Sequence, residues 1–257
     1  MKFNFRINKY YLLACYFDYY ENFIFWDPKK YDDFLKIKRF SKLLYNSFLL
    51  KENKRAFLKV NNYNSLKQLF KIFYKNSQEI FFKILESKEF KKFLEETEGY
   101  SQRLENEWNS KKEEVLKNLE EITGLKIINK KLNVDVFVVK PPLKGGFAVP
   151  YKKTIVWGHT EDWPNYSIVY LCHELLHIFT YKKYKDPKLM HALIELATDN
   201  ELRVRLNGGK YPPFIGSPYL ESIKRTIYPL WKQYLNKKLK LKNILELERL
   251  ILRRKII

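Results

Sequence analysis

The chain has 257 residues, of which 46% are hydrophobic and 17% aromatic. That is enough for one large domain or two small ones with a real core, and too apolar for a disordered chain. The formal net charge of +20 leaves open an anionic partner, but no apolar run reaches membrane-spanning length. The two cysteines, Cys15 and Cys172, are too far apart in sequence to suggest a disulfide framework and read as buried free thiols.

In chain order, Lys2 to Asn8 alternates apolar and polar residues and predicts a short strand. Tyr10 to Leu94 carries Phe, Leu and Tyr at three- and four-residue spacing and predicts several helices. Breaks are expected near Asp27-Pro28, Lys51 to Asn53 and Asn61-Asn62. Gly99 reads as a stop. A long amphipathic helix is then expected over Gln102 to Ile122, ended by Gly124.

The texture changes after Gly124. Leu125 to Ile128, Asn133 to Val139 and Lys153 to Trp157 are rich in β-branched residues and read as strands. Two helices follow, at about Pro164 to Lys183 and Pro187 to Leu206, the second closed by Asn207-Gly208-Gly209. Beyond the Tyr211 to Phe214 turn, two basic amphipathic helices complete the chain. The expected organisation is a helical region over 1–99, an α+β core over 100–206 and a basic helical tail over 207–257. Residues 207–257 hold 12 basic against 3 acidic residues, whereas 131–206 are nearly balanced.

All 4 histidines fall between His159 and His191. Two of them form His173-Glu174-Leu175-Leu176-His177. On a helix, positions i and i+4 share a face one turn apart, so both imidazoles can reach one Zn²⁺. Glu174 flanks the open coordination position and can take a proton from an attacking water. The surrounding helix is apolar (Ile168, Val169, Leu171, Cys172, Leu175, Leu176, Ile178, Phe179). Charged and imidazole groups in such a helix need a reason, and metal ligation supplies one. The plain alternative is a pair of surface histidines.

A catalytic zinc takes three protein ligands. The next helix offers Glu195 as the third, with Asp199 one turn on as an acceptor for a ligand histidine's ring N–H. His191, one turn before Glu195, reads first as a helix-face histidine, with alternative ligand or electrophile as its other readings. His159, after the strand at 153–157, is either a cleft residue or a turn residue. Tyr181, Tyr184 and Tyr211 are candidates for stabilising an oxyanion. Asp186, just before Pro187, reads as an N-cap rather than a ligand.

His173, Glu174, His177, Glu195 and Asp199 together resemble the His-Glu-x-x-His plus Glu-x-x-x-Asp pattern of the gluzincins, the thermolysin-like metallopeptidases. The resemblance covers about residues 100–206. It implies a mostly helical α+β fold of zincin type, in which a small mixed sheet packs on the active-site helix and a glutamate helix. It also implies zinc as cofactor, Glu174 as general base, His173, His177 and Glu195 as ligands, and a peptide or protein substrate. That substrate would lie along an edge strand, expected at Thr154 to Trp157. Ile194 stands where thermolysin has an asparagine before its ligand glutamate. Metzincins are set aside because no third histidine follows His177 at their close spacing. No signal peptide is read, so a cytoplasmic location is expected. The rival readings are a nucleic-acid-binding module, or a regulatory protein that keeps a non-catalytic zincin fold.

Overall fold

The computed structural model describes residues 1–13, 15, 64–65, 68, 85–128, 130–141, 146–209 and 216–257. Among the described residues the chain is mostly helical with a small mixed four-stranded sheet, the α+β class expected. It divides into two units. One comprises Met1–Phe5, Arg103–Val136 and Gly145–Ile257; the other comprises Arg6–Gln102 and Phe137–Lys144. The tail therefore shares a unit with the segment carrying the His-Glu-x-x-His motif. The helix breaks expected near residues 27, 51–53 and 61–62 lie outside the described residues.

Strand β1 (Lys2–Arg6) precedes helix α1 (Lys88–Thr123), which runs straight through Gly99. The expected stop there is corrected. A glycine inside a helix costs only about 1 kcal/mol, and the buried stripe Thr97, Ser101, Leu104, Trp108 continues at helical spacing across it. Gly124 does end α1, at φ +66. A Cβ at Gly124 would also lie 1.9 Å from the Lys242 carbonyl oxygen, so only glycine fits. Phe3 of β1 stacks on Trp108 at 4.2 Å.

Leu125 to Ile128 forms no strand, against expectation. The Glu120 carboxylate accepts from the backbone N–H groups of Ile127 and Ile128, so those donors are taken by a side chain and not by a neighbouring strand. Strands β2 (Asn133–Val138), β3 (Phe147–Val149) and β4 (Thr154–Trp157) complete a sheet of order β1-β2-β4-β3. The edge is thus β3 and not the expected Thr154 to Trp157 strand. Every residue of β4 is buried, flanked by β2 and by β3, which pairs antiparallel with Ala148 opposite Ile155.

Helix α2 (Tyr166–Thr180) carries the His-Glu-x-x-His motif. Helix α3 (Pro187–Glu195) opens on the expected Asp186 cap, whose carboxylate accepts from Leu189 N–H at 2.8 Å. It passes without a break into a π-helical segment, Leu196–Leu202, and then α4 (Arg203–Asn207). Such wide turns are uncommon and recur at functional sites. The tail supplies α5 (Glu221–Leu235) and α6 (Ile244–Arg253), both packed on α3. Ile227, Trp231, Ile244, Leu247 and Ile251 are fully buried, so the tail contributes core. Among the described residues no helix is long and apolar enough to cross a membrane.

Candidate metal centre

Helix α2 is apolar on most of its surface, and its large polar side chains fall on one face. Tyr166, Tyr170, His173, Glu174 and His177 follow at spacings of four, three, one and three residues, which winds them along a single stripe. All five line one cleft of about 630 Å³, with Ala148 of β3, His191, Glu195 and Asp199 of the following helix, and Gly216 and Ser217 of the tail.

Within the cleft, the Nε2 atoms of His173 and His177 lie 3.1 Å apart. Two nitrogens bound about 2.0–2.1 Å from a tetrahedral zinc would be separated by about 3.3 Å. Ligand atoms of His173, His177 and His191 all fall within 4.8 Å of one another, the one such group of three among the described residues. The donor set therefore suits a cation that prefers imidazole nitrogen.

Asp199 sits where the sequence placed it. The His173 Nδ1–H donates to its Oδ1 at 3.0 Å, which leaves Nε2 to face His177. Thr198 Oγ1 donates to the same oxygen at 2.8 Å. The second carboxylate oxygen, Oδ2, is buried without a hydrogen-bond partner. An unpaired buried carboxylate oxygen behind a histidine is negative charge that a cation in front of that histidine would offset.

Glu195 also lines the cleft, but its carboxylate is engaged by groups other than His173 and His177. Its Oε2 accepts from the Lys224 ammonium at 2.6 Å and its Oε1 from the Ser217 N–H at 2.7 Å. A Cβ at Gly216 would come within 2.4 Å of the carboxylate, so residue 216 is glycine because the chain passes directly over Glu195. The third member of the group that could hold a metal is His191, whose Nε2 is 3.6 Å from Glu195 Oε1 and whose Nδ1 is 3.3 Å from the Tyr219 hydroxyl. Burial and the nearby His173 lower the pKa of His191.

Glu174 is 7% exposed. Burial pushes its carboxyl up from the ordinary carboxylate range, while His173 and the Ala148 N–H, which donates to it, pull it back. A carboxylate raised in this way suits a general base. Burial acts to lower His173, but Asp199 beside it outweighs that and holds the ring at about 9. His177 is pulled down to about 2 by burial and by its two histidine neighbours. In the metal-free protein His173 thus carries the proton, and its Nε2–H donates to His177.

His159, Tyr181 and Tyr184 are not brought in. His159 stacks on Tyr166 at 4.7 Å and donates from Nδ1 to its neighbour's carbonyl, Thr160 O, at 2.6 Å. Neither His159 nor Tyr184 lines the cleft. Tyr181 faces a separate concavity. Tyr211 lies outside the described residues. Sequence reasoning missed Tyr166 and Tyr170, although their spacing from His173 and His177 was the available signal. Tyr170 stacks on Trp157 at 5.7 Å, and its ring lies 4.6 Å from that of Tyr166. Burial raises both phenols, with the charge of Asp162 adding to it at Tyr166 and that of Asp199 at Tyr170, so they stay protonated. Lys224 could not be found from sequence, because nothing distinguishes it among the chain's other lysines.

Comparison with protein-family models, with curated proteins and with solved structures finds no match to this chain.

Proposed function

We propose that the chain is a zinc-dependent hydrolase acting on peptide bonds, with His173, His177 and His191 as ligands and Glu174 as general base. The observation that carries this reading is the convergence of three imidazoles with a buried carboxylate one residue after the first of them. A purely structural site would gain nothing from Glu174, since a fourth protein ligand would close it. Zinc held there would polarise a carbonyl and acidify a water.

The chain's own groups then have assigned tasks. Glu174 takes the proton of the attacking water and delivers it to the leaving amine. Asp199 holds the His173 ring with Nε2 presented. The Tyr170 hydroxyl, kept protonated in the cleft wall, donates to the oxygen that becomes negative as the carbonyl is attacked. Strand β3 aligns the substrate. Ala148 N–H points away from β4 toward Glu174, so its carbonyl points the same way and can pair with an extended peptide.

The reading keeps the gluzincin-like use of helix α2 and changes the third ligand. The direct test is a peptide-library cleavage assay of the zinc-loaded wild type beside Glu174→Gln. Cleavage by the first and none by the second is expected. Equal cleavage by both, or none by either at full zinc loading, rejects the hydrolase reading.

A further inference from the structure

A second concavity of about 430 Å³ opens beside the metal cleft in the same unit. Lys130, Lys131, Lys153, Lys182 and Lys183 line it, and no aspartate or glutamate does among the described residues. Two of these lysines stand at left-handed backbone positions, Lys153 at φ +53 and Lys182 at φ +60. Lys153 closes the turn after β3, its N–H donating to Pro150 O at 3.0 Å. Lys183 is exposed, and partial desolvation with the charge of Lys130 still works against its ammonium form. Like charges gathered in a concave wall raise a local positive potential that an anion relieves.

We propose that this lysine concavity binds the carboxylates of an acidic peptide segment. Position favours a peptide over another polyanion. Pro150 lines both this concavity and the metal cleft, and it directly follows β3. A peptide extended beside β3 advances about 3.3 Å per residue, so it runs from Ala148 to the lysines within a few residues. Acidic residues on one side of the scissile bond would therefore be selected. The proposal rests on the peptidase reading for the route of the peptide, and the test separates the two.

Zinc-loaded Glu174→Gln protein is titrated by fluorescence anisotropy with three labelled probes: a peptide bearing a run of glutamates, the same peptide with glutamines, and oligothymidylate. The glutamate peptide is expected to bind at least about tenfold tighter than the glutamine peptide at low salt, an advantage that shrinks as salt is added. Adding Lys130→Ala, Lys131→Ala and Lys153→Ala removes the advantage without changing zinc content, and arginine at the three positions retains it. Equal affinity for the two peptides, or an advantage that survives the alanine substitutions, overturns the proposal. So does loss of oligothymidylate binding alone in the alanine variant, which would assign the concavity to nucleic acid. If no peptide is cleaved by the wild type while the glutamate preference still depends on the lysines, the anion site stands and the peptidase reading falls.

Discussion

The Lys224 ammonium donates to Oε2 of Glu195 at 2.6 Å, and both side chains are at most 2% exposed. The pair joins tail helix α5 to the end of α3, one turn from His191. It explains why a glutamate spaced like a metal ligand is not part of the imidazole cluster: its charge is already met by a cation fixed in the core.

Lys224→Met should therefore destabilise the metal-free protein by about 3–5 kcal/mol, because it leaves a buried carboxylate unpaired. Removing both charges, as Lys224→Met with Glu195→Leu, should recover most of that loss. Urea unfolding of the three proteins in chelator checks this. A single variant as stable as wild type would show that the pair contributes nothing.

Asp199 should matter through His173. Asp199→Ala is expected to lower zinc affinity or activity by about 10–100-fold with the fold intact, read by competition with a chromogenic chelator. An affinity within error of wild type would reduce Asp199 to a core residue.

Metal uptake should depend on pH with a definite sign. The proton on His173, held to about pH 9, must leave before that nitrogen can bind zinc. Below that pH, binding releases one proton and apparent affinity rises about tenfold per pH unit, levelling off above it. His177, lowered to about 2, adds no proton release near neutrality. The same His173 shift stabilises the metal-free fold fully below its ordinary value of 6.5, and that contribution is lost as pH rises through about 9. Calorimetry in buffers of different ionisation enthalpy counts the proton. Zinc binding with no proton release at neutral pH would contradict the assignment.

How far the sequence alone reached follows from what helical spacing encodes. The i, i+4 pair His173 and His177 lies within one helix, where periodicity fixes which side chains share a face, and both meet in the cleft. Which group of the next helix joins that pair depends on how two helices slide past each other. His191, Glu195 and Asp199 recur at four-residue intervals on one face, so a shift of one turn, about 5.4 Å, decides which lies beside His173 and His177. Asp199 reaches His173, which sets the offset and puts His191 with the cluster. The edge strand was misplaced for a similar reason. The buried run Thr154 to Trp157 has the stronger strand signal because it is interior, whereas the true edge, Phe147 to Val149, is three residues long.

Tyr170→Phe tests the proposed oxyanion donor. Loss of the hydroxyl should lower kcat by about 10²–10³-fold, with KM, zinc content and the pH of half-maximal rate little changed. A fall in zinc content instead would show that Tyr170 supports the ligands, and an unchanged kcat would remove it from catalysis.

The ligand set is the central claim, and the zinc-to-protein ratio of purified wild type, His191→Ala and Glu195→Gln, measured side by side by elemental analysis, tests it most directly. The three-histidine centre predicts an equimolar ratio in wild type and in Glu195→Gln, and loss of zinc in His191→Ala. Zinc retained in His191→Ala and lost from folded Glu195→Gln would contradict it and return the third position to the glutamate.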